Sequence, residues 1–324
     1  MIELRPYFAD QDKSLWDQVI EQCDNSHFMV QRDFMDYHSD RFEDASIVVL
    51  DKGKLVGALP ANKSGALWAS HQGLTFGGLF LLPKYNRIAV QTEIFEQLWP
   101  FLKNMGFEQA QIKPVPWIYH LNPCEGQVYC LSQATIEHHY SEITTTVDLN
   151  NRAKASSLRL RGQKKAIKAG LDIRVCAPIS NPQTQADLAA FWQILSGRLL
   201  SKYERKPVHS LEEITVLMQH FPDAIRLVVA EDRHNRIIGG SLLFVTPTLH
   251  HAQYISASDE GMALGALDLL FLGLIERAEK DCKRYFDFGI STEENGTILN
   301  EKLASFKEGF GGRSVIHNKY LISL

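Results

Sequence analysis

The chain repeats one order of predicted elements in its two halves. Residues 45–59 and 225–244 each consist of an apolar run, a polar turn and a second apolar run. This pattern predicts a β-hairpin in each half. Because the two hairpins lie roughly 180 residues apart, the pattern indicates a duplicated domain and not a solenoid of short repeats.

The elements that follow the hairpins also correspond. Each half continues with a third strand, a glycine-bearing turn, a helix and a last strand, at residues 66–70, 73–78, 87–104 and 109–112 in one half and 251–256, 261–265, 265–281 and 285–288 in the other. Identity between the halves is low, so a chance similarity of two α+β halves is the alternative. The sequence predicts an α/β (α+β) chain with domains at 1–145 and 146–324.

Length and composition agree with a two-domain soluble protein. The chain has 324 residues, 45% of them hydrophobic and 22% charged, and about 150 residues per domain is a common size. The formal charge of −4 argues against a protein that binds nucleic acid with its whole surface, but it is compatible with a local basic patch. The apolar run at 263–275 contains Asp268 and is too short to span a bilayer, which predicts a buried helix.

The cysteines indicate the compartment. Five cysteines are spread along the chain without a CxxC pair. This usage fits a reducing cytoplasm and no structural zinc. The pairs His138-His139 and His250-His251 would point to opposite faces of a strand, which disfavours metal binding. We therefore expect a cytoplasmic protein without a metal or a transmembrane segment.

Two stretches near the C-terminus indicate a site. Residues 285–291 form an apolar strand that contains one carboxylate, Asp287, and residues 306–312 place Lys307 among aromatic residues and glycines. Strand alternation directs Asp287 away from Phe286 and Phe288. Single charged residues in such apolar surroundings are not ordinary core patterning.

A basic segment separates the two halves. From Arg152 to Lys168 there are seven cationic residues and no acidic one. Asn151, Ser156 or Ser157 could cap a helix that ends at Gly170, with the helix region at about 152–170. A solvated helix is one interpretation. The other is an anionic ligand, such as a phosphate, a nucleotide or an RNA backbone, because unrelieved like charges repel one another.

These residues resemble those of a known family. Residues 157–171 resemble the basic helix of the Fem-like branch of the GNAT acyltransferases. Residues 286–289 and 306–312 resemble the C-terminal signature of the same branch. This branch includes peptidoglycan-bridge aminoacyltransferases and acetyltransferases labelled BioF2-like. Residues 32–38, 59–62 and 70–78 resemble the BioF2-like members. The coiled-coil arm of many tRNA-dependent members has no counterpart here.

The resemblance implies two tandem GNAT-like domains with mixed, mostly antiparallel central sheets. In this fold the third strand diverges from the last one, and the exposed backbone N–H groups can bind a thioester carbonyl. The turn and helix N-terminus that follow would bind the donor, which implicates Ser256, Ser258, Gly261 and Gly265. Asp259 and Glu260 depart from the family pattern, because they place carboxylates where a pyrophosphate would dock.

The resemblance also implies transfer of an acyl group to an amine. Acetyl-CoA or another acyl-CoA is the first choice of donor, and the acceptor would be an amine of a sugar-nucleotide or cell-envelope precursor, either a small molecule or a lipid-linked anion. An aminoacyl-tRNA donor is the second choice, and a non-catalytic module that binds an anionic glycan precursor is the third. Contact with the inner face of a membrane fits a lipid-linked acceptor.

Lys307 and Asp287 are the predicted catalytic residues. Lys307 would neutralise a substrate phosphate or the developing oxyanion, and the alternative is a surface lysine. Asp287 would accept the amine proton, directly or through water, and the alternative is a structural acid. Glu293 and Glu294 are further candidate bases.

The remaining predictions concern the substrate. The cations Arg159, Arg161, Lys164 and Lys165 are expected to bind an anionic substrate. His71, in a polar and glycine-rich segment, is expected to line the acceptor pocket, with a structural histidine as the alternative. Tyr203 is a candidate general acid for the leaving thiolate.

Overall fold

The computed structural model describes residues 2–324, except for the side chain of Tyr203. The chain forms two compact units. Unit 1 comprises Met1–Ile143, Glu293–Ile298 and Ile316–Leu324, and unit 2 comprises Thr144–Thr292 and Leu299–Val315. The predicted domains at 1–145 and 146–324 stay a proposal.

Between residues 2 and 132, unit 1 contains short strands and four α-helices. These are β1 (Ile2–Pro6), α1 (Ala9–Gln22), α2 (Arg32–Met35), β2 (Glu43–Asp44), β3 (Ile47–Asp51), β4 (Lys54–Leu59), β5 (Asn62–Ser64), β6 (Leu67–Ala69), β7 (Phe80–Leu81), α3 (Ile88–Asn104), β8 (Gln109–Ile112) and α4 (Gly126–Ser132). The predicted hairpin at 45–59 is confirmed as the antiparallel pair β3–β4. The helix expected at 87–104 is confirmed as α3.

The predicted third strand of unit 1 does not join the hairpin. Strand β6 pairs with β5 and, in parallel, with β8, whereas β7 takes the place next to β4. Gly57 on β4 allows this pairing, since a Cβ there would lie 2.4 Å from Leu81 Cδ2 and 2.6 Å from the Phe80 carbonyl oxygen. The sequence pattern could not reveal this close approach between segments distant in the chain.

The rest of the chain begins with β9 (Ile136–Asp148), which has residues in both units. It continues with α5 (Ser157–Ala169), β10 (Asp172–Val175), α6 (Pro182–Tyr203), α7 (Leu211–His220), β11 (Ile225–Glu231), β12 (Ile237–Val245), β13 (Leu249–Ala257), α8 (Asp259–Leu264), α9 (Ala266–Lys280), β14 (Tyr285–Ile290), β15 (Thr292–Glu293), β16 (Ile298–Leu299), α10 (Glu301–Glu308) and β17 (Arg313–Ser323). The second predicted hairpin is confirmed as β11–β12.

The sheet of unit 2 has the strand order β10-β11-β12-β13-β14-β9. Its pairs are antiparallel except for β13–β14, which is parallel and is connected through α8 and α9. The sheet is therefore mixed and mostly antiparallel, as predicted. A parallel neighbour requires such a crossover connection, and a helix provides it.

Helix α9 forms the centre of the core of unit 2. Its Phe271, Leu274 and Ile275 are buried and pack in one cluster with Phe286 and Phe288 of β14. Burial of each such side chain stabilises the fold by about 1.5–3 kcal/mol. The buried helix predicted from the apolar run is confirmed, and its packing holds β14 in place beside β13.

Candidate active site in unit 2

Strands β13 and β14 diverge after a short paired stretch. They pair from Leu249↔Tyr285 to His251↔Asp287. Beyond this register β13 continues to Ala257 and β14 to Ile290. Gly289 has φ +76°, a left-handed conformation that suits glycine and turns the end of β14. The divergence removes backbone groups of β13 from ladder pairing, so that they can bind a ligand.

A cavity of about 500 Å³ lies beside the diverging end of β13. This size is typical of a small-molecule site. Its walls come from α6, β13, α8, α9 and α10 and consist of Leu195, Arg198, Leu199, Lys202, Ile255, Ser256, Ala257, Met262, Leu267, Asn300, Lys302, Leu303, Phe306 and Lys307. Among the described residues, the lining therefore combines an apolar surface with four cationic side chains and no carboxylate.

Lys307 lies in the last turn of α10 with only 3% of its surface exposed. Its Nζ donates to the carbonyl oxygens of Gly289 at 2.7 Å and Ile290 at 2.6 Å. Burial lowers the pKa of Lys307 to about 8, and the charge of Asp287 opposes this shift. The alternative of a surface lysine is wrong, because the side chain lies in the wall of the cavity.

The sequence of α10 explains this position. Asn300 caps the helix by accepting from the Leu303 N–H at 3.1 Å. Phe306 and the following Phe310 pack on Phe271 in the core of unit 2. With Phe306 anchored, the next side chain along the helix is directed to the carbonyl groups at the end of β14.

Asp287 is fully buried and is hydrogen-bonded to four donors. Its carboxylate accepts from Thr144 Oγ1 at 2.5 Å, Thr146 Oγ1 at 2.7 Å, His251 Nδ1 at 2.6 Å and the Gly289 N–H at 3.2 Å. Four donors occupy the lone pairs of both oxygens. The arrangement fixes the His251 ring, as carboxylates do in catalytic Asp–His pairs.

His251 was not among the site residues predicted from the sequence. The sequence pattern weighed this histidine only as a metal ligand, although it predicted His251 on the third strand of the second half and Asp287 on the last strand. A Cβ on Gly289 would lie 3.3 Å from His251 Cε1 and 3.8 Å from Nε2. The ring therefore lies against the residue whose carbonyl group binds Lys307. Parallel pairing of β13 with β14 is the signal that could have identified it.

The basic helix is confirmed as α5. Ser156 caps it, and Gly170 ends it with φ +80°. Arg159 faces inward, where its guanidinium forms an ion pair with Asp268 at 2.6 Å and lies 4.8 Å from the Phe306 ring. Arg161, Lys164 and Lys165 are exposed. The structure thus separates Arg159 from the other predicted substrate-binding cations.

Comparisons with known proteins agree with this architecture. Residues 156–295 match the family model of the acetyltransferase (GNAT) domain. The structure of FemX has 10% identity and a TM-score of 0.69, with 99% of this chain and 97% of that chain covered. No curated protein sequence matches the chain.

Two further solved structures are similar. One is the C-terminal domain of a protein described as a lysylphosphatidylglycerol synthetase from Agrobacterium fabrum, with 12% identity, a TM-score of 0.64 and coverage of 97% of this chain and 92% of that chain. The other is L-PGS from Bacillus licheniformis, with 12% identity, a TM-score of 0.57 and coverage of 82% and 80%. The chain has the Fem-like tandem GNAT fold.

Of the four residues predicted to bind the acyl donor, one lines the cavity and three have structural contacts. Ser256 lines the cavity, and Ser258 caps α8 by accepting from the Gly261 N–H at 3.0 Å. A Cβ on Gly261 would lie 2.3 Å from the Ile238 carbonyl oxygen, and one on Gly265 would lie 2.6 Å from that of Gly162. Both glycines therefore serve close backbone packing.

His71, Glu293 and Glu294 are not among the residues that line the cavity. His71 is buried in unit 1, where its ring stacks on His38 at 5.1 Å and burial lowers its pKa to about 3. The side chain of Tyr203 lies outside the described part of the structure. Glu293 and Glu294 are exposed and belong to unit 1.

Among residues 2–324, no helix is both long and apolar enough to cross a membrane. Across the same part of the chain, no group of three or more histidine, cysteine or acidic side chains is arranged to hold a metal ion.

Proposed function

We propose that this protein transfers an acyl group from an activated donor to an amine, with acetyl-CoA or another acyl-CoA as the donor. The observation that carries the proposal is the cavity beside the diverging strands, with Lys307 in its wall. The match of residues 156–295 to the GNAT domain supports acyl or aminoacyl transfer in general. The donor and the acceptor are the parts that we propose.

The chemistry follows from the groups around the cavity. The acceptor amine attacks the carbonyl carbon of the thioester, the tetrahedral oxyanion forms, and the thiolate leaves as the amine loses a proton. Lys307 donates two of its three N–H groups to carbonyl oxygens, which leaves one for a substrate oxygen. We assign to this cation the stabilisation of the oxyanion or of a substrate phosphate.

The proton of the amine requires an acceptor. Asp287 is enclosed by its donors, one of which is the His251 ring. That ring lies against Gly289, whose carbonyl oxygen accepts from Lys307 in the cavity wall. We therefore propose that Asp287 orients His251, and that the imidazole takes the proton directly or through water. This assignment replaces direct proton transfer to Asp287.

The donor would bind differently from a usual GNAT donor. Helix α5 packs on Gly265, and Asp268 in the first turn of α9 is paired with Arg159. Both contacts disfavour a pyrophosphate at the start of α9. We propose that Ser256 contacts the acyl end, and that Arg198, Lys202 and Lys302 in the cavity wall bind the donor phosphates.

The acceptor is proposed to be the amine of an anionic sugar-nucleotide or cell-envelope precursor. Arg161, Lys164 and Lys165 are the exposed cations proposed for it, while His71 and Tyr203 stay predictions. An aminoacyl-tRNA donor with a lipid-linked acceptor is the second candidate, since one similar structure is named as a lysylphosphatidylglycerol synthetase and another as L-PGS. A non-catalytic glycan-precursor module is the third.

Thermal unfolding with candidate ligands, followed by a transfer assay, tests the proposal. Acetyl-CoA should raise the Tm, because a ligand that binds only the folded state stabilises it, and labelled acetyl-CoA should acylate an amino-sugar nucleotide. Stabilisation by nucleotide sugars alone, without transfer, would support the binding module. Activity that depends on charged tRNA and disappears after RNase treatment would replace CoA with the second candidate.

A further inference from the structure

The outward face of α5 carries a compact set of unpaired cations. Arg161, Lys164, Lys165 and Lys168 are all exposed. In the part of the chain that the structure describes, these four form no ion pair, whereas Arg152 and Arg159 pair with Glu279 and Asp268. Like charges spaced three and four residues apart on a helix repel one another unless an external anion screens them.

Aliphatic side chains flank these cations. Leu158, Leu160 and Ile167 are 56%, 43% and 58% exposed. Leu160 and Ile167 follow one edge of the cationic strip and Leu158 the other, since successive residues rotate by about 100° around a helix. We call Leu158, Leu160, Arg161, Lys164, Lys165, Ile167 and Lys168 the outward face of α5.

We propose that the outward face of α5 binds the surface of an anionic lipid bilayer. Its charge complements acidic headgroups, and its aliphatic side chains can enter the boundary between headgroups and acyl chains. A surface for single-stranded nucleic acid would combine cations with aromatic side chains that stack on bases. The sequence of α5 contains no aromatic residue, which favours the bilayer.

The inward side of α5 connects this surface to the cavity. Arg159 lies over Phe306, and Phe306 and Lys307 both line the cavity. The Ser156 N–H also donates to the Gly309 carbonyl oxygen at 2.8 Å, just after α10. Docking of α5 on a bilayer would therefore hold α10 at a fixed place relative to the lipid. The inference shares Arg161, Lys164 and Lys165 with the acceptor site proposed above, and vesicle binding tests it separately from acyl transfer.

Co-sedimentation with vesicles tests this surface. The protein should bind vesicles of phosphatidylcholine with roughly 30% phosphatidylglycerol, and not phosphatidylcholine alone, because the attraction is electrostatic. The triple variant Lys164→Gln/Lys165→Gln/Lys168→Gln should lower the partition coefficient about a hundredfold, from about 1 kcal/mol per lysine. Raising the salt concentration should weaken vesicle binding of the wild type strongly, and it should change vesicle binding of the triple variant only slightly.

A matched control removes three lysines elsewhere. Lys54, Lys103 and Lys280 are exposed, and Lys54→Gln/Lys103→Gln/Lys280→Gln gives the same charge change. Its partition should match that of the wild type, and circular dichroism of both variants verifies folding. Equal binding by the two triple variants, or equal binding of the wild type to both kinds of vesicle, would overturn the proposal.

The aliphatic edge distinguishes a bilayer from RNA. Ile167→Ser should lower vesicle binding severalfold, since the side chain would no longer enter the apolar boundary. Binding of a single-stranded oligonucleotide should be weaker than vesicle binding at the same salt concentration. Tight oligonucleotide binding that depends on Lys164 and Lys165 and ignores Ile167→Ser would assign the face to nucleic acid and reject the bilayer.

Discussion

Lys307 was predicted from the sequence as a site residue, and the structure places it in the wall of the cavity. A lone lysine among aromatic residues and glycines predicted a site, and the structure places its Nζ against two carbonyl oxygens in a cavity wall. Its charge is stabilised by backbone dipoles and by Asp287. Burial opposes the charge, which is why the pKa of the lysine falls.

Lys307→Met should lower kcat by about a hundredfold or more, the size of effect seen when a donor to a developing oxyanion is removed. The fold should persist, because Met fills the same apolar space. Lys280→Met, at an exposed position on α9, is the control and should keep full activity. Steady-state rates of the two variants check this, and full activity of Lys307→Met would remove the lysine from the mechanism.

The pH profile tests the charge state that Lys307 needs. Because burial lowers the pKa of the lysine to about 8, the ammonium form predominates at pH 7 and is lost as the pH rises. A cationic role therefore predicts that kcat/KM falls above about pH 8. A rate that rises through this pH range in the wild type, and not in Lys307→Met, would indicate a base and contradict the cationic role.

Asp287 and His251 should act as one unit. Asp287→Asn replaces an acceptor by an amide, which no longer holds the His251 Nδ1–H in the same way. We expect kcat to fall in Asp287→Asn and in His251→Gln, and the double variant to resemble the worse single variant. Rates of the three variants form the cycle, and additive losses would show independent roles.

At the scale of elements, the two ends of α5 were predicted correctly from the sequence, but its contact with α9 was not. Ser156 and Gly170 are local signals, and the helix begins and ends where they indicate. The predicted face placed Arg159 close to the other cations, whereas the structure pairs it with Asp268 on α9. Caps act within one helical turn, but ion pairs across a fold depend on packing that a single segment does not encode.

The contact between α5 and α9 depends on glycine. Gly265 has φ +85°, and a Cβ there would lie 2.6 Å from the Gly162 carbonyl oxygen. Gly265→Ala should lower the free energy of unfolding by about 1–3 kcal/mol, from backbone strain and overlap. Gly197→Ala on α6 is the control, since its Cβ would meet nothing within 4 Å, and it should stabilise by about 0.5–1 kcal/mol. Urea unfolding of both variants measures these effects.

At the scale of the whole molecule, buried neutral histidines predict sensitivity to acid. Burial lowers the pKa of His71 to about 3 and of His250 to about 4, and it also lowers the pKa values of His38 and His120. Below the unfolded value of about 6.5 the unfolded chain binds more protons. Stability should therefore fall as the pH drops from about 6.5 to 4, and His71 and His250 should each contribute a slope of up to about 1.4 kcal/mol per pH unit.

A variant isolates this effect from titrating carboxylates. His71→Gln should flatten the pH dependence of the unfolding free energy relative to the wild type, because one proton-binding difference is lost. The control His234→Gln changes an exposed histidine and should leave the slope unchanged. Urea unfolding at several pH values between 4 and 7 provides the comparison, and identical slopes for all three proteins would contradict it.

The sequence by itself determined those elements that carry strong local signals. Apolar runs, polar turns, caps and glycines predicted the hairpins, α3, α5, α9 and the last strand of each half, because these signals act between near neighbours in the chain. It also predicted that residues near Asp287 and Lys307 form a site.

Only the tertiary structure decided what those residues contact. The divergence of β13 from β14, the four donors around Asp287 and the place of Lys307 in the cavity wall join segments far apart in the chain. It also placed β7 and not β6 beside β4. Such contacts depend on strand register and on close packing between elements, which propensity and periodicity leave open.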